Sequence, residues 1–308
     1  MGKFFNFLQC MLLMMSCLFL TTNLSAAEEP KLSFSVTEVA PNLYMLKGVG
    51  GFTGGNIGLS IGEDGVVMID DSMPPMLSIM ETAIKSVTDN PVDFLINTHV
   101  HGDHTGNNLT IGEKGTWIVA HENLRLNMLE KGVYDGKEFV PAPKAALPVI
   151  TFADSMNFHL NGHDANIFHV TNAHTDGDLV IHYKSANVIH TGDVMFNKLF
   201  PYVDLKNGGS LDGFIAAQKH ILTLCDQDTK IIPGHGPLAN KKDLEASIAM
   251  LEDGKQLVQK LIDQGKTEDQ VIKLNPLAKY HDKWNWQFIS TEKITRLIYS
   301  SLPKETKQ

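Results

Sequence analysis

The chain is poor in cysteine, with only three in 308 residues. Cys10 and Cys17 lie near the N-terminus and Cys225 stands alone in the remainder, so that remainder cannot form an intramolecular disulfide framework. Hydrophobic residues make up 43% of the sequence, which is ample for a buried core. The length fits one large domain or two small ones.

Positive charge is also scarce. Lysine and arginine number 26 against 35 aspartates and glutamates, which gives a net charge of −9, and the two signs are mixed along the chain. The sequence contains no short-period repeat and no low-complexity tract. Nonspecific nucleic-acid binding needs a basic surface, so we expect no nucleic-acid partner.

A mostly apolar run spans residues 7–20, after Lys3 and before the small residues Ser25, Ala26 and Ala27. This order is typical of a secretory signal peptide. We expect cleavage after Ala27, with cleavage after Ala26 as the close alternative. An uncleaved membrane anchor is a further alternative, but the run is short for a bilayer span. The mature chain is predicted to be periplasmic or secreted, without stable membrane association.

Residues 98–104, with the sequence THVHGDH, concentrate four side chains that can bind a metal: His99, His101, Asp103 and His104. In an extended segment, residues two apart project to the same side, so His99 and His101 can hold one cation together. Asp103 and His104 follow where the chain must turn. Neutral imidazole and carboxylate suit Zn²⁺ and, less selectively, Fe or Mn. This motif therefore predicts a metal site.

Short apolar segments separated by glycine-rich turns predict strands, and segments with helical spacing predict helices. The predicted strands are residues 43–46, 56–61, 66–69, 92–96, 117–120, 158–160, 167–170, 179–183, 187–190 and 230–232. The predicted helices are residues 75–87, a helix containing residues 124–129, and residues 210–224, 244–262, 268–274 and 291–302. A Pro/Ala-rich link at 141–148 separates two halves of similar order, which suggests two sheets packed face to face with helices outside.

Four more acidic or imidazole side chains follow predicted strands directly. Asp70 ends the strand at 66–69, and His174 lies in the loop after residue 170. Asp193 follows the strand at 187–190, and His235 follows residues 231–232. Binding groups tend to gather in loops at one edge of a rigid scaffold, so we expect these residues to approach the THVHGDH motif.

Together these motifs, from about residue 43 to 237, resemble those of the metallo-β-lactamase superfamily, the αββα hydrolase fold of zinc β-lactamases, glyoxalase II and many lactonases. The resemblance implies an α/β (α+β) chain with a four-layer αββα sandwich. It also implies three segments: a signal peptide at 1–27, the metallo-β-lactamase-fold domain at 28–240, and a C-terminal helical extension at 241–308 packed on the same domain.

The resemblance also implies a ligand set and a cofactor of two Zn²⁺ per chain, with Fe or Mn as alternatives. Asp70 corresponds to the acidic residue that supports the site from behind. The implied ligands are His99, His101 and His174 for the first metal, Asp103, His104 and His235 for the second, and Asp193 as the bridge.

Asp193 marks a departure from one large group of true zinc β-lactamases, in which this position is a cysteine that binds the second metal. A bridging carboxylate is instead the arrangement of glyoxalase II and the lactonases. Cys225 is predicted on the following helix and cannot take that role. We therefore do not expect dedicated antibiotic resistance, and weak β-lactam turnover remains open.

Two divalent cations that share a water lower its pKa from about 15.7 toward neutrality, so a metal-bridging hydroxide can attack a carbonyl carbon. Asp103 is the candidate catalytic residue, because it can ligate a metal and orient that nucleophile. We predict an exported dinuclear zinc hydrolase of a small carbonyl substrate: a lactone, ester, thioester or β-lactam. The alternatives are a mononuclear iron dioxygenase of the persulfide dioxygenase type and an accessory protein of an exported redox pathway. The oligomeric state stays open.

The sequence gives less information about which residues contact the substrate. Phe52 and residues 196–202 are interpreted as either groove lining or packing. Trp284 and Trp286 are interpreted as core of the helical extension. His121 is expected to be a helix cap or a packing residue, and His159 is expected to be structural or exposed.

Overall fold

The structure of the protein is a computed structural model that describes residues 31–134 and 137–303. The predicted signal peptide at residues 1–27 and both of its cysteines lie outside the described residues. Within the described ranges, none of the helices combines the length and the hydropathy needed to span a bilayer.

Each of the ten predicted strand segments overlaps a strand of the structure. The strands are β1 (Ser33–Ala40), β2 (Leu43–Val49), β3 (Ile57–Gly62), β4 (Gly65–Ile69), β5 (Phe94–Ile96), β6 (Trp117–His121), β7 (Val133–Tyr134), β8 (Phe139–Val140), β9 (Ile150–Phe152), β10 (Ser155–Leu160), β11 (His163–His169), β12 (Leu179–Tyr183), β13 (Val188–His190), β14 (Lys230–Ile232) and β15 (Ala239–Asn240).

The helices fall between the strands of each half and after the last strand. They are α1 (Leu77–Lys85), α2 (Gly102–Thr105), α3 (Asn108–Glu113), α4 (Glu122–Lys131), α5 (Leu211–Thr223), α6 (Lys241–Asp263), α7 (Glu268–Leu274), α8 (His281–Trp284) and α9 (Thr291–Ser301).

Two large sheets form in the described part of the chain. The first has the order β1-β2-β3-β4-β5-β6-β9 and the second has the order β10-β11-β12-β13-β14-β15. In the first sheet β1 to β4 are antiparallel, whereas β4, β5, β6 and β9 run parallel. In the second sheet only the β13–β14 pair is parallel, with α5 as its crossover. Parallel neighbours end at the same edge, so their carboxyl ends lie side by side.

The core lies between the two sheets and repeats on their outer faces. Val67 and Ile69 of β4 belong to the inner cluster, which also contains Ile181 of the second sheet. Val66 and Met68 of the same strand belong to the outer cluster, together with α1 residues. Because β4 is covered on both faces, all of these positions are apolar rather than alternating with polar ones. On the second sheet the outer layer is formed by α5 and α6. The predicted four-layer αββα sandwich is therefore confirmed.

The helical extension shares a core with the sandwich. Phe200 and Phe214 precede the extension, and they lie in one cluster with Ile294 and Ile298 of α9. The same compact unit contains the sheets and the extension.

Strands β1 and β9 and the two-residue strands β7, β8 and β15 were missed by the sequence analysis. β1 is an edge strand with a mostly exposed or half-exposed sequence, SFSVTEVA, so its apolar signal is weak. β9 has only three residues and lies at the other edge of the same sheet.

Candidate metal centre

The loops that follow the carboxyl ends of β5, β11, β13 and β14 bring the predicted site residues together. Their ligand atoms form two groups, and within each group every ligand atom lies within 4.8 Å of the others. The first group is His99, His101, His174 and Asp193, and the second is Asp103, His104 and His235.

The first group points ring nitrogens and one carboxylate oxygen at a common point. His174 Nε2 lies 2.8 Å from His101 Nδ1. Asp193 Oδ2 lies 3.5 Å from His174 Nε2 and 3.7 Å from His99 Nε2. His99 Nε2 is buried and has no hydrogen-bond partner among the residues that the structure describes. Ring nitrogens and a carboxylate oxygen that converge on one point are suited to bind a cation.

The second group lies on the other side of the Asp193 carboxylate. His104 Nε2 and His235 Nε2 are 3.4 Å apart. Asp103 Oδ2 lies 3.3 Å from His235 Nε2 and 3.6 Å from His104 Nε2. Asp193 Oδ1 faces the same two nitrogens, at 3.2 Å from His104 and 3.4 Å from His235. Asp193 thus directs one oxygen to each group, which is the position of a bridging ligand.

Acceptors hold the outward nitrogens of His99, His104 and His174. His104 Nδ1–H donates to Asp70 Oδ2 over 2.7 Å, and His174 Nδ1–H donates to the Tyr202 carbonyl oxygen over 2.7 Å. Thr98 Oγ1–H donates to Asp70 over 2.7 Å, which leaves its oxygen to accept from His99 Nδ1, 3.0 Å away. Such outer partners fix the tautomer and leave the inner nitrogen free to ligate.

Asp204 holds the remaining imidazole of the first group and was missed by the sequence analysis. His101 Nε2–H donates to Asp204 Oδ2 over 2.9 Å. The local sequence signal at Asp204 is that of a turn: its side chain accepts from the backbone N–H of Lys206 and Asn207, and Gly208 follows in the left-handed region. A turn aspartate is common, so nothing in the sequence marked this one as part of the site.

Glycines let the loops approach the ligands closely. A Cβ on Gly234 would overlap Asp193 Oδ1, and a Cβ on Gly55 would overlap the His104 ring. The Gly234 N–H donates to the Gly192 carbonyl oxygen over 2.7 Å, which joins the His235 loop to the Asp193 loop. These two positions therefore require glycine for close packing.

The model of the family described as the metallo-β-lactamase superfamily matches residues 50–238, which is more than half of the chain. The chain belongs to the metallo-β-lactamase superfamily. Members of this superfamily are mostly hydrolases.

Solved structures with the superfamily fold are similar over most of the chain. A metallo-β-lactamase from Pontibacter korlensis has a TM-score of 0.61 at 17% identity, over 72% of this chain and 100% of that one. The metallo-β-lactamase FIM-1 from Pseudomonas aeruginosa, in a mono-zinc form, has a TM-score of 0.59 at 17% identity, over 73% and 98%. At these identities the similarity shows the fold alone.

The stereoselective inverting sec-alkylsulfatase Pisa1 from Pseudomonas sp. is similar over a larger share of this chain. Its TM-score is 0.64 at 15% identity, and the alignment covers 87% of this chain. This chain spans about half the length of the sulfatase, since 50% of that protein is covered.

The pKa values of the histidines differ between the two ligand groups. In the first group, burial and the neighbouring His101 lower the pKa of His174 to about 3. In the second group, burial opposes protonation of His235, but Asp193 and Asp103 outweigh it and raise the pKa to about 9. Burial also opposes ionisation of Asp103, yet His104 and His235 lower its pKa to about 2.

These residues fit a pair of divalent cations. Burial raises the pKa of Asp193, but the imidazoles of His235, His104 and His99 hold it well below the ordinary value. Its Oδ1, like the Nε2 of His99, is a buried atom without a hydrogen-bond partner in the described part of the chain. The carboxylate and imidazole groups lie close together, and some of their inward atoms have no hydrogen-bond partner. Such a set of donors suits Zn²⁺ or a similar ion.

A cavity of about 660 Å³ opens directly onto the two ligand groups. Asp103 is 24% exposed and Asp193 only 4%, so Asp103 is the carboxylate that a substrate can approach. The lining includes aromatic residues from three parts of the chain: Phe52, Phe196, Tyr202, Trp286 and Phe288.

The structure revises the interpretation of Trp286 and decides between the two alternatives for Phe52. Trp284 is 3% exposed and lies in the core of the extension, as expected. Trp286 packs against the same core, but it also lines the cavity. Phe52 is a cavity residue with little packing: it is 53% exposed, and its ring lies 5.9 Å from the His235 ring.

Histidines outside the two groups have structural surroundings. His121 precedes α4 and accepts a hydrogen bond from the Asn123 N–H, so the predicted helix cap is confirmed. His159 is exposed and contacts Asp164 at 2.6 Å. His190 is buried and accepts a hydrogen bond from the Gly192 N–H.

Proposed function

We propose that the protein is a hydrolase that cleaves a small carbonyl substrate with a pair of zinc ions. The observation that carries this proposal is the position of Asp193, whose two carboxylate oxygens face the two ligand groups separately. The first ion would be held by His99, His101 and His174, and the second by Asp103, His104 and His235.

When bound, a zinc pair supplies Lewis acidity, which makes water a nucleophile near neutral pH and polarises a carbonyl oxygen. The chain supplies position and charge. Asp70, Asp204 and the Tyr202 carbonyl fix the imidazole rings, and anionic Asp193 and Asp103 offset the charge of the cations. Such preorganised groups need little rearrangement during the reaction.

Asp103 is the proposed catalytic residue. Its carboxylate is the exposed one of the two, it lines the cavity, and its low pKa keeps it anionic at neutral pH. An anionic oxygen in this place can accept a hydrogen bond from the attacking water and so aim it at the carbonyl carbon.

The substrate class remains a lactone, ester, thioester or β-lactam. Asp193 stands where many zinc β-lactamases have a cysteine, and Cys225 lies buried in the outer core of the second sheet, away from the ligand groups. A broad carbonyl hydrolase therefore suits the site better than a dedicated β-lactamase.

Metal analysis combined with a hydrolysis panel tests the proposal. The panel holds a chromogenic cephalosporin, lactones, S-lactoylglutathione and aryl esters, and it is run on the wild type, on the chelated protein and on Asp103→Ala. We expect about two zinc per chain, at least one hydrolysed substrate, and loss of that activity on chelation and in the variant. Unchanged activity in both would overturn the proposal, and one iron per chain with O₂ consumption would favour a dioxygenase.

We also propose that the protein is exported, on the basis of residues 1–27. N-terminal sequencing of the protein recovered from the periplasm or medium is expected to begin at Glu28, or at Ala27 if cleavage follows Ala26. Recovery from the cytosol with an intact N-terminus would contradict export.

A further inference from the structure

Aromatic rings form a continuous arc beside the two ligand groups. The Trp286 ring centroid lies 6.1 Å from that of His235, and the Phe288 centroid lies 5.5 Å from that of Trp286. The arc continues through Tyr202, 5.8 Å from Phe288, and ends 5.8 Å further at His101. This row of rings therefore starts at a residue of the second ligand group and ends at a residue of the first. We call it the aromatic arc.

The aromatic arc presents apolar surface to solvent at a concave site. Phe288 is 52% exposed although it lies on the wall of the 660 Å³ cavity, and Phe52 on the same cavity is exposed to a similar degree. Apolar area exposed inside a cleft marks a binding surface more often than chance packing does. The cavity volume lies in the range of small-molecule sites.

Hydrogen bonds hold the aromatic arc in place. The Trp286 Nε1–H donates to the Phe200 carbonyl oxygen over 2.9 Å, and the Phe200 N–H donates to the Trp284 carbonyl oxygen over 2.8 Å. Lys293 Nζ donates to the Phe288 carbonyl oxygen over 2.7 Å and lies 5.3 Å above its ring. A preformed wall loses little conformational entropy when a ligand binds.

The chemistry of the wall defines what it can recognise. Lys293 is the one lysine or arginine among the described residues that line the cavity, and its ammonium group already contacts Phe288. The two carboxylates on the cavity floor, Asp103 and Asp193, belong to the ligand groups. A flat apolar group is complementary to such a wall, because aromatic pairs gain energy beyond simple burial.

We propose that the aromatic arc, together with Phe52, binds an aromatic ring of the substrate close to the acyl bond that is hydrolysed. This inference rests on the proposed hydrolase function, and it narrows the substrate to aryl-substituted carbonyl compounds. Residues 286–288 of the C-terminal extension would then set specificity for a reaction whose metal ligands come from the sandwich.

Two matched lactones test the preference: γ-phenyl-γ-butyrolactone and γ-methyl-γ-butyrolactone. The wild type is expected to favour the phenyl compound by about tenfold or more in kcat/KM, since 1.4 kcal/mol is a factor of ten and lies within reach of one or two ring contacts. Phe288→Ala and Trp286→Ala are expected to lower kcat/KM for the phenyl compound more than for the methyl compound, so that the ratio between the two falls toward one. Phe288 donates no side-chain hydrogen bond, so its variant is the safer of the two for folding. Trp117→Ala, an exposed tryptophan at the start of β6, is the matched control and is expected to retain the preference.

A binding measurement separates this inference from the function on which it rests. Calorimetry with phenylacetamide and acetamide needs no hydrolysis, and we expect only phenylacetamide to bind, with weaker binding in Phe288→Ala. If neither lactone is hydrolysed but this binding pattern is found, the hydrolase proposal fails and the aromatic arc stands. If both lactones are hydrolysed equally, in wild type and variants alike, and neither amide is preferred, the aromatic arc is overturned and the hydrolase proposal stands.

Discussion

Acceptor groups decide which ring nitrogen faces the candidate metal centre in four of its five histidines. The Asp204 carboxylate accepts a hydrogen bond from the outer N–H of His101, and the Tyr202 carbonyl oxygen accepts one from the outer N–H of His174. The THVHGDH spacing was enough to predict that His99 and His101 converge on one point, because extended backbone places alternate residues on one side. It was not enough to predict Asp204, which lies about 100 residues later in an ordinary turn.

Asp204→Asn tests this second layer. Asparagine keeps the cap of the following turn but loses the negative charge that holds the His101 Nε2–H, so the inner Nδ1 is less firmly oriented. We expect the zinc affinity of the first site to fall by roughly 10–100-fold, measured by competition with a chromophoric chelator. The second site is expected to change little.

Asp212→Asn is the matched control for that substitution, because Asp212 is an exposed carboxylate paired with Lys255 on the helix surface. An unaltered first site in Asp204→Asn, or equal losses in both sites, would argue against the role of Asp204.

Zinc binding should depend on pH differently at the two sites. His235 has a pKa of about 9, so below pH 9 zinc must displace its proton, and the affinity of the second site should rise as pH rises toward 9. His174 has a pKa of about 3, so it is already neutral from pH 6 to 9 and the first site should vary less. Competition titrations at pH 6, 7, 8 and 9 compare the two slopes. A steeper slope for the first site would contradict this assignment.

The residues of the candidate metal centre lie just after the ends of strands. Asp70 follows β4, the THVHGDH segment follows β5, Asp193 follows β13 and His235 follows β14. These strands were predictable because they are buried on both faces and therefore form continuous apolar runs. Edge strands such as β1 carry a weaker pattern, so their presence could not be read from apolar residues alone.

The turn after β14 offers a test at this scale. Gly234→Ala places a methyl group where Asp193 Oδ1 lies, so the bridging carboxylate must move. We expect this variant to hold fewer than two zinc per chain by elemental analysis, while its circular dichroism spectrum stays close to that of the wild type. Gly102→Ala is the control, because its added Cβ meets no atom within 4 Å. Full zinc content in Gly234→Ala would show that the turn tolerates a side chain.

In the described residues, the C-terminal helices pack against the sandwich and share a hydrophobic core with it. The resemblance to a known superfamily predicted the four layers, and helical spacing predicted most of the extension. The aromatic arc was not predictable, because Tyr202 and Trp286 are 84 positions apart and only the packing of the extension onto residues 196–203 brings them together. A contact between residues so far apart in the sequence cannot be predicted from local residue spacing.

The shared core predicts that the extension and the sandwich unfold together. Ile298→Ala removes a buried side chain of α9 that packs with Phe200 and Phe214. We expect a loss of about 2–5 kcal/mol in the free energy of unfolding, with the same midpoint by tryptophan fluorescence and by circular dichroism. Leu274→Ala, at an exposed position on α7, should change little. Two separate transitions would show that the extension is an independent unit.

The central claim is that Asp193 joins two metal ions. A crystal structure of the zinc-loaded protein, with anomalous data collected on both sides of the zinc absorption edge, tests it most directly. The account predicts two zinc peaks, one beside each oxygen of Asp193, with His99, His101 and His174 around one and Asp103, His104 and His235 around the other. A single peak at full zinc saturation, or peaks away from the Asp193 carboxylate, would contradict it.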